Sequence, residues 1–469
     1  MTDLDPEEFR RRGYAVVDWV AAYRAGLPDR PVQPDVVPGS VRAGFPAALP
    51  EQPEPLDALL EALDSTVVPT SSHWQHPGWF AYFPANASLH SLLGDVLSGG
   101  LGAQGMLWST SPAATEIEQA LMDALAGALG LDPAFTFAGG GGGVIQDSAS
   151  SAALVALLAA LHRANPTWRD DGVDGRDRIY VTAETHSSLA KAARVAGLGG
   201  RALRTVGFRP GSLAMDPASL AALIAEDRAA GLRPVLVCPT VGTTGTGAVD
   251  PVAEIVDAAQ AVWVHVDAAW AGVAALCPEH RDLLDGVELV DSFCTDAHKW
   301  LGTAFDASLL WVRDARALPA ALSITPEYLR NAASESGAVV DYRDWQLPLG
   351  RRFRALKLWA VLSGYGLDGL RTHLRGHIAL AAELAGWVAD EPGFTLVAPP
   401  SLGLVCLRLD SDERTRAALA QVNASGRAFL THTVVDGRVV IRVAIGGVTT
   451  ERRHVVALWE QLRKAASSV

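Results

Sequence analysis

Five short runs in the middle of the chain constrain its fold more than any other feature. Arg178-Ile179-Tyr180-Val181-Thr182, Pro234-Val235-Leu236-Val237-Cys238, Val262-Trp263-Val264-His265-Val266-Asp267, Leu289-Val290-Asp291-Ser292-Phe293-Cys294 and Ser308-Leu309-Leu310-Trp311-Val312 are near-continuously apolar, and helical segments separate them. A strand that is apolar on both sides has to be covered on both faces. The alternation therefore predicts an α/β fold, a mainly parallel sheet between helical layers. In such sheets ligands bind beyond the carboxyl ends of the strands. Asp267, Lys299, His186 and Thr240 all stand at or just past predicted strand ends.

A chain of 469 residues exceeds one ordinary core, so two or three domains are expected. With 49% hydrophobic and 19% charged residues it reads as a soluble globular protein with a large interior, neither disordered nor fibrous. A net charge of -13 argues against nucleic acid or an anionic membrane as partner, since both require a basic surface. Cys238, Cys277, Cys294 and Cys406 are far apart in the chain and mostly lie in apolar runs. They read as small core residues in a reducing compartment, neither a disulfide framework nor a zinc site. The acidic start, Met1 to Glu8, lacks the features of a signal peptide, and the longest apolar run, Ala152 to Leu161, is too short for a bilayer span. A cytoplasmic protein is expected.

In chain order, residues 7 to 25 carry an amphipathic helical pattern, and the proline-rich stretch from Pro28 to Pro55 predicts an extended arm over the main body or a second subunit. Residues 1–80 form this arm, 81–365 the large α/β domain, and 366–469 a smaller α+β domain with strands at 404–409 and 439–444. The aromatic stretch from His73 to Ala85 is broken by Pro77, Gly78 and Pro84, which fits either a core cluster or a pocket-lining loop. Ser111-Pro112 opens a helix that Gly130 closes.

Two features carry chemistry. Five glycines, Gly139 to Gly143, lead into Ser148-Ala149-Ser150 at the start of a strongly helical run, and a glycine loop feeding a helix N-terminus suits an anion. Neither the Walker loop nor the dinucleotide fingerprint is present, so the anion belongs to something smaller than a nucleotide. The second feature is Lys299, placed just after an apolar strand where an unpaired ammonium is costly. A phosphate cradle, a strand-end aspartate and a lysine together match pyridoxal phosphate: the lysine holds its aldehyde, the carboxylate faces its ring nitrogen, and the cradle takes its phosphate. No metal is expected, because Asp267 is followed by Ala268-Ala269-Trp270-Ala271-Gly272 with no further acidic ligand close by.

The chain resembles the group II pyridoxal-phosphate-dependent decarboxylases, specifically the aromatic L-amino acid decarboxylase family, from about residue 7 to 465. The matching stretches are His76-Pro77-Gly78-Trp79-Phe80-Ala81-Tyr82-Phe83-Pro84, Ser111-Pro112-Ala113-Ala114-Thr115-Glu116, Gly141-Gly142-Gly143-Val144-Ile145-Gln146, His265-Val266-Asp267-Ala268-Ala269, His298-Lys299-Trp300, and Asp341-Tyr342-Arg343-Asp344-Trp345-Gln346-Leu347-Pro348-Leu349-Gly350-Arg351-Arg352-Phe353-Arg354. The resemblance implies fold type I, with a seven-stranded sheet, and a homodimer with its site at the interface. It implies that Lys299 is the Schiff-base lysine, that Asp267 partners the pyridinium nitrogen, and that His186 stacks on the ring opposite Ala269. Ser148, Ala149, Asp296 and His298 would surround the phosphate, with Thr240 near the cofactor hydroxyl. Relatives often have asparagine at the position of Asp296. Tyr328, in a loop composed like one that closes over a site, would protonate the substrate Cα.

By the same resemblance Trp74, Tyr82, Phe83, Pro84, Gln104, Met106 and Gly350 line the side-chain pocket. Glycine at the position of Gly350 tends to accompany indole substrates, which makes tryptophan the first expectation, ahead of phenylalanine, tyrosine and DOPA-type substrates. Gln104 and Met106 stand where apolar or aromatic residues are usual, and Gln104 is expected to hydrogen-bond an indole N–H or a ring hydroxyl. The rival readings are a decarboxylation-coupled aldehyde synthase, a histidine decarboxylase and a non-catalytic scaffold.

Overall fold

The computed structural model describes residues 3–468 apart from 325, 330 and 331, with the side chain of Tyr328 also outside the described set. Seven strands form one sheet: β1 (Gly142–Gln146), β2 (Asp177–Val181), β3 (Leu203–Thr205), β4 (Arg233–Val237), β5 (Trp263–Asp267), β6 (Ser292–Asp296) and β7 (Ser308–Val312), in the order β1-β7-β6-β5-β4-β2-β3. The pairs from β6 through β5, β4 and β2 to β3 are parallel, whereas β7 runs antiparallel to both β1 and β6. The reversal follows from chain length. Residues 297 to 307 link β6 to β7, fewer than the dozen or so that a parallel crossover needs.

All five expected strands are present, with β6 displaced toward its carboxyl end because Gly286, at φ +91°, starts a 3-10 turn that takes up Val287–Leu289. The helix Ala149–Ala164 buries nine of its sixteen residues, and its contacts reach five strands. Burial on nearly every side explains why the run from Ala152 to Leu161 reads as continuously apolar.

The glycine run differs from the expected loop. Gly142 and Gly143 are the first residues of β1, and all five of its residues are buried. A Cβ on Gly143 would meet Met122 at 2.6 Å and the Trp311 ring at 2.9 Å, and one on Gly142 would meet the Phe137 ring at 2.6 Å. A Cβ on Gly141 would overlap the carbonyl oxygens of Ala134 and Val312. These glycines are required by packing density, and the helix N-terminus expected to take an anion lies five residues on, at Ser148.

The chain divides into two compact units. The larger holds residues 85–385 and 398–406; the other holds residues 1–84, 386–397 and 407–469. Residues 366 to 385, grouped with the C-terminal domain in the sequence division, belong here to the large unit. Trp300 Nε1 donates to His377 Nδ1 at 2.9 Å and Arg371 Nε to the Leu276 carbonyl at 2.8 Å. The helix Ala355–Asp390 is instead kinked at Gly366.

In the second unit β8 (Phe394–Leu396), β9 (Leu404–Leu409), β10 (Thr431–Val435) and β11 (Arg438–Ala444) form a sheet in the order β10-β11-β9-β8. Asp436 and Gly437, both at positive φ, make the tight turn of the β10–β11 hairpin. The N-terminal arm belongs to this unit: Val32 N donates to the Gly426 carbonyl at 2.8 Å, and Val32, Trp79 and Ala81 form one cluster with Phe429. The helix Pro6–Ala25, capped by Asp5, buries none of its residues in the single chain.

Replacing Gly141 by alanine is expected to destabilise the protein by about 1–3 kcal/mol through overpacking against backbone. Gly127→Ala, in a helix where a Cβ meets nothing within 4 Å, is expected to stabilise it by about 0.5–1 kcal/mol. Equilibrium denaturation of the two variants checks the opposite signs.

Candidate active site

The site is built at the carboxyl end of the parallel strands. β5 ends on Asp267 and β6 ends on Asp296, and their parallel register sets Asp267 beside Cys294. After β4 the chain continues extended, so that Thr240 bridges to Asp267: Val241 N donates to the Asp267 carbonyl at 2.9 Å and Asp267 N to the Pro239 carbonyl at 3.0 Å. Asp267 is buried, and its Oδ1 accepts from Ala269 N at 3.0 Å. Its Oδ2 has no hydrogen-bond partner among the described residues. The Thr240 hydroxyl is buried and also lacks one.

Lys299 lies in the one-turn helix Ala297–Trp300 directly after β6. Its Nζ is 2.9 Å from Asp296 Oδ2, and a quarter of its side chain is exposed. Asp296 is almost fully buried, and the same oxygen is 3.5 Å from His298 Nε2. Burial alone would raise the Asp296 carboxyl, but the charge of Lys299, with His298 beside it, outweighs burial and holds it below its ordinary value. Burial alone would likewise depress the Lys299 ammonium, and the carboxylates of Asp296 and Asp267 reverse this and raise it. Burial lowers His298, whose Nδ1 accepts from Ala307 N at 3.1 Å, so the neutral ring turns its Nε2–H toward Asp296. In this chain Asp296 is thus the counter-ion of Lys299.

Two further elements end at the same side of the sheet. Ser148 caps the helix Ala149–Ala164, its hydroxyl accepting from Ser151 N at 3.3 Å. The amides of Ala149 and Ser150 in that first turn have no partner among the described residues, which is the donor pair an anion requires. His186, after β2, caps the helix Ser187–Val195; its Nδ1 accepts from Ser188 N at 3.2 Å, which puts the ring hydrogen on Nε2. Tyr328 belongs to the turn Glu327–Leu329, and its side chain lies outside the described residues.

The residues expected to line the substrate pocket are divided between the two compact units, and each set is described within its own unit. In the smaller unit Trp74 stacks on Trp79, ring centroids 4.3 Å apart, and lies 5.8 Å from Tyr82, whose φ is +54°. There the Arg442 guanidinium sits 5.2 Å from the Phe83 ring, and Pro84 follows. In the larger unit Gln104 Oε1 accepts from Met106 N at 2.7 Å and from Arg351 N at 3.3 Å. Next to it, a Cβ on Gly350 would meet nothing within 4 Å.

Four supporting residues were given no role from the sequence, because nothing local marks what they hold. Asn86 accounts for the carbonyls around the lysine: its backbone N donates to the His298 carbonyl at 2.8 Å and its side-chain amide to that of Lys299. Glu118 and Arg351, both fully buried, form a two-pronged ion pair, and Glu118 Oε1 also accepts from Ile145 N at 2.7 Å. Asp250 accepts from Thr240 N at 2.7 Å and Met215 N at 2.6 Å, and burial pushes its carboxyl up to about 6.

The family model "Pyridoxal-dependent decarboxylase conserved domain" matches residues 38–410. The chain belongs to the pyridoxal-dependent decarboxylase family. It is 43% identical to phenylacetaldehyde synthase of Arabidopsis thaliana over 99% of this chain and 97% of the relative. It is 42% identical to tyrosine/DOPA decarboxylase 2 of Papaver somniferum, over 99% and 94%. Among solved structures, Oryza sativa TDC with PLP and tryptamine superposes with a TM-score of 0.97 at 40% identity, covering 100% of this chain and 99% of the other. The cofactor is pyridoxal phosphate, and the fold is fold type I. The described residues fit that cofactor. The unpartnered Asp267 oxygen is an acceptor for a ring N–H, the orphaned Thr240 hydroxyl can meet a ring hydroxyl, and the Ala149 and Ser150 amides suit a phosphate.

If Lys299 takes the cofactor, its pairing with Asp296 makes that capture depend on pH. With its pKa raised by Asp296, the Lys299 amine is freed only at higher pH. Asp296→Asn removes that charge and is expected to move the midpoint of the pH profile for cofactor binding down. Stopped-flow mixing of cofactor-free protein with pyridoxal phosphate measures it, and superimposable profiles would count against the pairing. The sign for stability is separate. A carboxyl held below its ordinary value stabilises the cofactor-free fold above that value, and the contribution is lost as pH falls through the lowered one.

Proposed function

We propose that the protein decarboxylates an aromatic L-amino acid to the arylalkylamine and carbon dioxide. The observation that carries this reading is the convergence, at one end of one sheet, of Lys299, the unpartnered oxygen of Asp267, the orphaned Thr240 hydroxyl and the open amides of a helix N-terminus. Aromatic substrates are supported by the relatives at 42–43% identity. Gly350 stands in open space, where even an added Cβ would meet nothing within 4 Å, which is compatible with a bulky ring.

When bound, the cofactor supplies an aldehyde that links to an amine and a protonated ring that accepts the electron pair left as the Cα–carboxylate bond breaks. Lys299 would hold it through that aldehyde. Asp267, through Oδ2, holds the proton on the ring nitrogen, and its buried setting strengthens that interaction. His186, its orientation fixed by Ser188 N, would cover the ring, and Ala269 is small enough to allow a ring close by. Ser148 and the amides of Ala149 and Ser150 hold the phosphate, while Asp296 stays paired to Lys299 and His298. Tyr328 delivers the proton to Cα.

A second reading, an aldehyde synthase, is favoured by the likeness to phenylacetaldehyde synthase. Tyrosine at 328 and histidine at 186 favour the amine instead, since relatives that make aldehydes tend to carry phenylalanine at the first position or a replacement at the second.

The working unit is a homodimer in the cytoplasm. Phe9 and Tyr14 on the helix Pro6–Ala25 are 64% and 66% exposed, as are Leu93, Val96, Leu97 and Leu101 on the helix Leu89–Leu101 to a similar degree. Faces this apolar call for a partner surface, and a second copy supplies it. All four cysteines are buried and none is in a disulfide, which suits a reducing compartment, and no helix among the described residues is long and apolar enough to cross a membrane.

The test is to incubate holoenzyme with a panel of aromatic L-amino acids and measure amine, aldehyde, ammonia and peroxide together. The expected outcome is amine and carbon dioxide in equal amounts with little ammonia, and diversion to aldehyde, ammonia and peroxide, with consumption of oxygen, in Tyr328→Phe. Aldehyde as the main product of the native enzyme would favour the synthase. No turnover of any aromatic substrate would contradict both readings.

A further inference from the structure

Gln104 is bound in a way that leaves it one chemical face. A side-chain amide oxygen has two lone pairs, and both are used here, by Met106 N at 2.7 Å and Arg351 N at 3.3 Å. Two backbone N–H donors on one atom settle which end of the amide is oxygen. The amino end has no partner among the described residues, and Gln104 is exposed.

The segment is held firmly by the chain at 343 and 351. Gly105 N donates to the Arg351 carbonyl at 2.8 Å, and Arg343 N to the Met106 carbonyl at 3.0 Å. Arg351 is locked in turn by Glu118 and by the Ile145 carbonyl of β1 at 2.8 Å. Gln146, the last residue of β1, donates to the Trp345 carbonyl at 2.7 Å, two residues before Ser148. The loop from 345 to 351 is therefore fastened to the end of the strand that leads to the anion-binding turn. Gln104 is fastened to the loop, and it cannot turn its oxygen outward without giving up two backbone hydrogen bonds.

We infer that Gln104 presents only a hydrogen-bond donor toward the substrate ring, so that the site selects aromatic amino acids whose ring carries an acceptor oxygen over rings that offer none. The inference rests on the reading that the segment from 104 to 106 and Gly350 line the substrate pocket. It narrows the sequence expectation that Gln104 binds either an indole N–H or a ring hydroxyl. An indole N–H is itself a donor and faces an amino group that cannot accept. A phenolic or alkoxy oxygen, on a single ring or on an indole, can be met.

The test uses two substrates of matched size, 4-methoxyphenylalanine and 4-ethylphenylalanine, one with a ring acceptor and one without. For the native holoenzyme the ratio of kcat/KM, methoxy over ethyl, is expected to be about threefold to tenfold, the range of one exposed hydrogen bond. In Gln104→Glu one carboxylate oxygen can still accept from Met106 N and Arg351 N, but the outward group changes from donor to acceptor. The ratio is then expected to fall to one or below. Tryptophan, relative to 1-methyltryptophan, is expected to gain by a similar factor. A role confined to tying the two segments together would change all substrates alike and leave both ratios where they were, which would overturn the inference. A native ratio of one overturns it without any variant. If the native enzyme turns over neither substrate nor any other aromatic amino acid, the proposed function fails first, and a ratio of one with good turnover fails only this inference.

Discussion

An ammonium group set among buried strands needs a counter-charge, and the arrangement of the site follows from how that need is met. Lys299 is placed by a one-turn helix against the end of β6, and Asp296, the last residue of that strand, supplies the charge at 2.9 Å. Leaving either partner alone in such surroundings would cost several kcal/mol. The two are mutually dependent, as their shifts show: the carboxyl is held below its ordinary value and the ammonium above its own. With a carboxylate at position 296, the lysine is charged more firmly than burial alone would allow.

The rest of the large unit serves to keep that pair at the sheet end. Asn86 ties down the carbonyls of His298 and Lys299, and Trp300 is stacked on Trp270 and bonded to His377. Asp250 draws Thr240 into line with Asp267. On the other flank the buried Glu118–Arg351 pair joins β1 to the loop bearing Gly350, and the Arg351 guanidinium also lies 4.5 Å from the Tyr342 ring centre. Buried ion pairs add little net stability when compared with apolar packing, but they impose strict geometry, and this loop needs geometry.

Much of this was legible in the residues, for physical reasons that also mark where legibility stopped. Near-continuous apolar runs can only be covered strands, so the five central strands and their carboxyl-end residues were readable. β1 was not, because its glycines look like a flexible loop until the crowding by Met122, Trp311 and Phe137 is known. β10 has a half-exposed alternation, although the Asp436-Gly437 turn beside it is a hairpin signal available in the sequence. Long-range partners such as Asn86 for Lys299 or Glu118 for Arg351 leave no local pattern. Gln104 was readable as an unusual pocket residue, but only its two backbone donors reveal which end of the amide is available.

The central claim is that Lys299 is the anchor of the cofactor. Borohydride reduction of the yellow holoenzyme, followed by proteolysis and mass mapping, tests it most directly. The account predicts one pyridoxyl phosphate per chain, attached to Lys299 alone, and none trapped in Lys299→Ala. Attachment at another lysine, or undiminished trapping in the variant, would contradict it.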